Sequence, residues 1–333
     1  LSFFVRSSYA NTQLMVRTPG GVFDDVKRET VYEPFRKETG IEIVPVPATI
    51  AKLLAMMQSG QNELDVIDTG DNALLELERK GFLAPIPYKD FKYSNPNDID
   101  PVVRRPYSLG SFVYALVLAY NTKAIKPGTE PKSWAEFWDV KKYPGRRTLP
   151  DIASGSVALE FALLADGVPK EKLYPIDIDR AFKSLSRIRS TIPKFWDAGA
   201  LSSTMLADGE ATMGALWSTR AHQAALDGAP LAIAWNQNAL LVQAYGIPKA
   251  TAKMEAARRF IDYASSPEVQ SRWLAKYKAI PVNVKSYGST PKDLMDPATN
   301  TPWTRSKGFV FDIEWWANNR AKVNEVWSKW VVS

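Results

Sequence analysis

Short apolar segments alternate with amphipathic segments along the chain from Leu14 onwards. Each apolar segment ends in residues that favour turns, and the next segment has the spacing of an amphipathic helix. This alternation predicts an α/β fold with largely parallel strands. The strands are predicted at residues 14–17, 41–46, 64–68, 111–120, 212–217, 231–235 and 240–247.

Cap residues set the expected limits of the helices. Gly40 and Gly60 each follow an amphipathic stretch and are expected to end a helix, since glycine readily adopts the left-handed conformation that closes the last turn. Ser133 is expected to cap a helix at 134–138. The last predicted helix is amphipathic and covers residues 311–331.

Four junctions between a predicted strand and a helix combine small residues with hydrogen-bonding side chains. Ligands of open α/β sheets bind beyond the carboxyl ends of the strands, where helix N-termini offer backbone N–H groups. Ordinary helix capping explains any one junction, but their recurrence predicts a ligand site. The candidate ligand-binding residues at the junctions are Gly20, Gly21, Thr69, Gly70, Asn72, Asp151, Ser154, Gly155, Ser156, Trp217 and Arg220.

The turn at 153–156 is the best candidate to cradle an anion. Gly155 allows backbone N–H groups to approach a ligand closely, and the hydroxyls of Ser154 and Ser156 flank it. The turn lacks the spacing of a nucleotide-binding P-loop. It therefore favours a carboxylate or phosphonate over a nucleotide.

Arg220 is expected in the first turn of a helix, where a cation opposes the helix dipole. An unfavourable charge at this position suggests that Arg220 has a functional role, here the bidentate binding of a carboxylate. A salt bridge or a solvated arginine is the alternative. His222, two residues further on, is expected to be a surface or packing residue.

Aromatic residues near strand ends or helix starts are candidates for the apolar faces of the site. Most aromatic side chains must belong to the core, since the chain has 11 Trp, 13 Tyr and 14 Phe. The aromatic candidates are Phe23, Tyr114, Trp217, Trp235 and Tyr245.

Composition narrows the class of protein. A length of 333 residues exceeds one ordinary core and predicts two domains. With no cysteine and a single histidine, the chain lacks the usual residues for thiol catalysis, zinc sites and acyl-transfer triads. We therefore expect no catalytic residue, no metal site and no cofactor. Basic and acidic residues, 42 and 36, are interspersed, which argues against nucleic-acid binding.

The first residues suggest export. Ser8 and Ala10 would suit signal-peptidase cleavage after Ala10, with the apolar stretch 1–5 as a remnant of the signal. An ordinary mature N-terminus is the alternative. No uninterrupted apolar run reaches about 18 residues. The prediction is a periplasmic protein whose signal peptide is removed.

In its order of segments the chain resembles the periplasmic solute-binding proteins of ABC importers, in the branch that includes polyamine-binding and γ-aminobutyrate-binding proteins. The segments that carry the resemblance are FRKETGI at 35–41, LDVID at 64–68, KGFL at 80–83, SWAEFW at 133–138, YPG at 143–145, GEA at 209–211, GALW at 214–217, YGIP at 245–248 and SPEVQ at 266–270.

The resemblance implies a two-lobed type II periplasmic-binding-protein fold, with a ligand cleft between lobes that close by hinge motion. Lobe 1 is expected at 14–115 and 244–288, and lobe 2 at 116–243 and 289–333 with the C-terminal helix. A membrane permease is the implied protein partner, and one solute per monomer is expected.

Departures from the family pattern bear on the ligand. The resemblance implies that polyamine binders hold amines with carboxylates near the 151–156 turn and just before the YGIP segment. Ile152 and Gly155 stand at the first positions and Gln243 at the last, which leaves only Asp151 and Asp68 acidic. An unpaired buried ammonium would be costly.

Arg220 matches the arginine that takes the carboxylate in γ-aminobutyrate-binding relatives. The sequence thus predicts a small carboxylate-bearing amino compound, such as a γ-aminobutyrate-like or opine-type sugar–amino acid conjugate, with Gln243 among the ligand-binding residues. Three alternatives stay open: a polyamine-binding protein, an enzyme on the same two-lobed fold and a ferric-ion-binding relative. The chain lacks the Tyr-Tyr pair that is expected of a ferric-ion-binding relative.

Overall fold

The structure is a computed structural model that describes residues 12–60, 63–155, 158–289 and 306–332. The predicted cleavage site at Ala10 lies outside these residues and stays a prediction. None of the described helices is long and apolar enough to cross a membrane.

Helices and strands alternate along much of the described chain, which confirms the predicted α/β class. The strands are β1 (Gln13–Thr18), β2 (Glu42–Pro47), β3 (Val66–Gly70), β4 (Leu83–Ala84), β5 (Leu109–Asn121), β6 (Arg147–Thr148), β7 (Met213–Trp217), β8 (Leu231–Pro248) and β9 (Phe309–Val310). The helices are α1 (Val22–Lys27), α2 (Glu33–Thr39), α3 (Ile50–Ser59), α4 (Asp71–Arg79), α5 (Trp134–Trp138), α6 (Leu159–Ala165), α7 (Ile178–Ser186), α8 (Gly199–Ala207), α9 (Ser218–Leu226), α10 (Met254–Ala264), α11 (Pro267–Tyr277) and α12 (Ile313–Trp330).

Internal contacts divide the chain into two compact units. Unit 1 holds the described residues of Leu1–Val113 and Val242–Thr301, and unit 2 those of Tyr114–Leu241 and Pro302–Ser333. Two strands, β5 and β8, pass from one unit to the other. The lobe boundaries expected from the resemblance, 115/116, 243/244 and 288/289, stay a prediction.

In unit 1, β1 pairs in parallel with β2 and with β3, so the carboxyl ends of these strands share one edge. The second half of β8 runs antiparallel to β3 and places Gln243 opposite Gly70. The short β4 also pairs antiparallel with β8.

In unit 2, β7 lies between two different neighbours. It pairs antiparallel with β5 and parallel with β6. The first half of β8 pairs in parallel with β9. The resulting sheets are mixed, because each unit combines parallel and antiparallel pairs.

Local cap signals are confirmed. Gly40 and Gly60 adopt left-handed conformations, with φ of 77° and 72°, at the ends of α2 and α3. The Ser133 hydroxyl accepts a hydrogen bond from the Glu136 N–H at 3.3 Å and caps α5.

The prediction of two separate strands at 231–235 and 240–247 is wrong, because β8 is continuous. Gln237, between the two predicted strands, stays in the strand with a φ of 59°. Trp134 holds Gln237 through two hydrogen bonds. The Trp134 backbone N–H donates to the Gln237 side-chain oxygen at 3.0 Å, and the Trp134 indole N–H donates to the Gln237 carbonyl at 2.9 Å. Contacts with a residue distant in sequence thus hold the strand at this position.

A buried carboxyl group attaches α12 to the rest of unit 2. The Glu160 Oε1 atom accepts hydrogen bonds from the Tyr174 hydroxyl at 2.6 Å and from the Trp316 indole N–H at 2.7 Å. Burial raises the pKa of Glu160 to about 7, with a further contribution from the charge of Asp312, whereas the two donors lower it. Desolvation therefore outweighs hydrogen bonding here.

Glu160→Gln should reduce the loss of stability between about pH 5 and pH 7.5. The folded-state pKa of about 7 exceeds the ordinary 4.5. The contribution of wild-type Glu160 is therefore fully present below the lower value and is lost as pH rises through the upper one, by about 3 kcal/mol. Urea unfolding at both pH values measures the difference. An equal loss of stability in the two proteins would contradict the assignment.

Candidate functional site

One edge of the unit 2 sheet brings together two of the predicted junction segments, 151–155 and 217–220, and the aromatic candidate Tyr114. Because β6 and β7 are parallel, the residues after both strands emerge at the same edge. Antiparallel pairing sets Leu116 of β5 opposite Trp217, so Tyr114 lies at this edge as well. The Ser218 hydroxyl fixes the arrangement by accepting a hydrogen bond from the Ala115 N–H at 3.1 Å.

Aromatic rings line this edge. The ring of Trp217 is partly exposed and meets Tyr114 edge-on at 6.4 Å and Trp196 edge-on at 5.2 Å. Trp196 is fully buried, and its indole N–H donates to the Ala215 carbonyl at 2.8 Å. A rigid tryptophan therefore supports a more accessible one, which suits an apolar face for a ligand.

Arg220 is the third residue of α9, in the first turn as predicted. Its side chain is exposed. A Cβ atom placed on Gly199 would lie 3.0 Å from the Arg220 Cγ and 2.7 Å from the Trp217 ring. The aliphatic stem of Arg220 thus lies against Gly199, beside the aromatic edge.

The 151–155 segment follows β6 at the same edge and includes a 3-10 turn at Ile152–Ser154. Trp196 holds its start, because the Asp151 N–H donates to the Trp196 carbonyl at 2.7 Å. Gly155 ends the turn with a φ of 98°. Ser156 lies outside the described residues.

The prediction that this turn offers its backbone N–H groups to an anion is wrong for three of them. The Ala153 N–H donates to the Asp151 carboxylate at 2.9 Å, and the Ser154 and Gly155 N–H groups donate to carbonyls within the turn. Asp151 acts as the cap of its own turn, and these three amides are therefore already bonded within the turn. The ligand contacts of Asp151, Ser154 and Gly155 stay predictions.

Trp235 lies on β8, partly exposed, with its ring 5.6 Å from His222 of α9. His222 therefore packs against an aromatic ring, as expected. The same helix carries Arg220, so α9 links the predicted cation to Trp235.

In unit 1 the carboxylate of Asp68 is already paired. Lys27 Nζ lies 2.6 Å from Asp68 Oδ2, and both side chains are fully buried. The ammonium also donates to the Tyr245 hydroxyl at 2.8 Å and lies over the rings of Phe23, Tyr245 and Trp273. The pair is a closed internal ion site.

Other candidates in unit 1 are buried. Phe23 is 2% exposed and packs edge-on against Trp273 and Tyr277, so it belongs to the core. Thr69 and Gln243 are also buried. Their contact with a ligand stays a prediction.

Glycine shapes the backbone at both predicted junctions of unit 1, whose contact with a ligand stays a prediction. Gly20 and Gly21 have positive φ values of 81° and 63° directly before α1. A Cβ atom on Gly70 would lie 2.7 Å from the Asn72 side-chain oxygen, so glycine permits this close approach. Asp71 lies between Gly70 and Asn72. Burial raises the pKa of its carboxyl group to about 7, although the positive charge of Arg105 lowers it.

Three further residues belong to the unit 2 edge, namely Trp196, Gly199 and Arg320, whose side chain donates to the Gly155 carbonyl. The local sequence gives no signal for them, because each reaches the site from an element distant along the chain. Gly199 begins a helix, whereas Gly40 and Gly60 each end one. Within the described residues, no group of three or more His, Asp or Glu side chains is placed to hold a metal ion.

Gly199→Ala should destabilise unit 2 and alter the environment of Trp217. The new methyl group would lie 2.7 Å from the ring, so the ring must move. Overpacking of this kind costs about 1–3 kcal/mol. Urea unfolding and tryptophan fluorescence measure both effects. Gly288→Ala is the matched control, since its Cβ atom would meet no atom within 4 Å; equal effects of the two changes would refute the packing argument.

Comparisons with known proteins cover nearly the whole chain. A family model described as bacterial extracellular solute-binding protein matches residues 30–301. The γ-aminobutyric acid-binding protein of Pseudomonas aeruginosa is 27% identical, over 99% of this chain and 94% of that protein. The solved structure of the Atu4243–GABA receptor has a TM-score of 0.84 and 32% identity, over 96% of this chain and 98% of that chain. The solved structure of MotA from A. tumefaciens B6, in complex with glucopine, has a TM-score of 0.82 and 25% identity, over 96% of this chain and 100% of that chain.

Proposed function

The chain belongs to the bacterial extracellular solute-binding proteins, and from that premise we propose that its solute is a small amino compound carrying a carboxylate. Proteins of this family bind small molecules for the permeases of ABC importers and are not enzymes. The predicted periplasmic-binding-protein fold is confirmed by the solved relatives.

The position of Arg220 carries the proposal. Its exposed guanidinium projects from the first turn of α9, at the edge where β6 and β7 end. A cation in this place opposes the helix dipole, and a bound carboxylate would relieve that cost. Trp217 and Tyr114 offer apolar surface beside it. The arrangement suits a ligand with a carboxylate joined to a short carbon chain.

Two observations favour an amino acid derivative over a bare polyamine. Asp68, one of the two acids left by the sequence pattern, is neutralised by Lys27, and Asp151 caps its own turn. Known relatives named for γ-aminobutyric acid and for a glucopine complex support a ligand that bears a carboxylate. The class therefore includes γ-aminobutyrate-like compounds and opine-type conjugates.

The setting of this function is also part of the proposal. The similar proteins are extracellular or periplasmic solute-binding proteins, which supports export to the periplasm with removal of a signal peptide. We infer that the protein acts as a monomer with one ligand and delivers it to a membrane permease.

A thermal-shift screen with γ-aminobutyrate, glucopine, agropinic acid, putrescine and spermidine tests the ligand class. A ligand at about a hundredfold excess over its Kd stabilises the protein by about 2.7 kcal/mol. We expect a shift with at least one carboxylate-bearing compound. Arg220→Ala should weaken its binding by about 10- to 100-fold, as measured by calorimetry, because a charged hydrogen-bond pair is lost.

Arg146→Ala is the matched control for Arg220→Ala. Arg146 is an exposed arginine of unit 2 that precedes β6 and therefore lies toward the amino end of that strand. The control should bind as the wild type does. A shift with putrescine or spermidine alone, unaffected by Arg220→Ala, would overturn the proposed ligand class.

A further inference from the structure

The C-terminal helix α12 reaches the predicted ligand segment 151–155 through one side chain. Arg320 Nη2 donates a hydrogen bond to the Gly155 carbonyl at 3.0 Å. The guanidinium carbon also lies 5.6 Å from the centre of the Trp316 ring, which is four residues earlier on the same face of α12. The aromatic ring thus restricts Arg320 to the orientation that meets Gly155.

Trp316 is itself fixed to the element that follows this segment. It is fully buried, and its indole N–H donates to Glu160 of α6 at 2.7 Å. One face of α12 therefore holds the chain at two points, the Gly155 carbonyl and the start of α6. Trp196 holds the other end of the segment through the Asp151 N–H.

Beyond the start of the segment at Asp151, the backbone N–H groups of residues 153–155 bond within the turn itself. The Ala153, Ser154 and Gly155 N–H groups all bond to acceptors inside the turn. Such bonds preserve the shape of the turn. The Trp196 carbonyl fixes the start of the segment at Asp151, and Arg320 fixes its end at Gly155.

We propose that Arg320 is a positioning residue of the ligand site, which holds Gly155 so that the 151–155 segment keeps its ligand-binding position. The inference rests on the proposed function in its final step, from segment position to affinity. Its first step, the tethering of the segment, concerns the ligand-free protein alone.

Hydrogen–deuterium exchange and calorimetry on Arg320→Met test the two steps. Methionine keeps apolar contact with Trp316 but has no donor for Gly155. Exchange of the amides at 153–155 in the ligand-free protein should rise by about fivefold to tenfold. The affinity for whichever screened compound binds the wild type should fall by about tenfold. Arg320→Lys, which keeps a donor, should restore part of both.

Lys322→Met is the matched control, since it removes the same charge from an exposed position of the same helix. It should change neither quantity. Arg220→Ala should weaken binding while the exchange at 153–155 stays at the wild-type level. This difference separates a residue that contacts the ligand from one that positions the segment.

Unchanged exchange in Arg320→Met would overturn the tether, and faster exchange with unchanged affinity would overturn the positioning role. If Arg320→Met lowers the free energy of global unfolding by as much as it lowers the free energy of local opening at 153–155, Arg320 supports only the fold. That result also overturns the proposal. If no screened compound shifts the wild type, the proposed ligand class fails, and the exchange arm still decides the tether.

Discussion

Charged side chains buried inside each unit must find their partners within that unit, and the surrounding segments are arranged to meet this demand. Lys27 and Asp68 neutralise each other in unit 1. Asp262 is fully buried and accepts hydrogen bonds from the backbone N–H groups of residues 92–94, which shapes that segment. Arg147 donates to carbonyls of the 137–145 segment. An isolated buried charge would cost far more than such loops gain by relaxing.

The need for a partner distinguishes the buried charges at the predicted ligand segments from the exposed charge of Arg220. Charges that are fully partnered, such as those of Lys27 and Asp68, are closed to solvent and serve the fold. Arg220 is instead exposed on the first turn of its helix, where the dipole makes it unfavourable without an anion. A solute-binding protein needs both internally paired charges that make the scaffold rigid and an exposed charge that can meet the ligand. The rigid scaffold limits the free energy lost on ordering the site when the ligand binds.

Unit 2 gains its precision from contacts between distant parts of the chain. Trp196 links the end of β7 to the 151–155 segment, and Gly199 allows Trp217 and Arg220 to lie side by side. From the far end of the chain, α12 adds Trp316 and Arg320. The candidate site is therefore a product of the whole unit rather than of a single motif.

The sequence by itself determined the α/β class, the caps at Gly40, Gly60 and Ser133 and the place of Arg220 in its helix, because these depend on local periodicity and on near neighbours. Only the tertiary structure decided the pairing of Asp68, the anchoring of the 151–155 segment and the continuity of β8. Each of these depends on partners distant in sequence: Lys27, Trp196 and Trp134. Local pattern cannot show which distant group will satisfy a buried charge or an unbonded backbone group, since that choice is made when the elements pack.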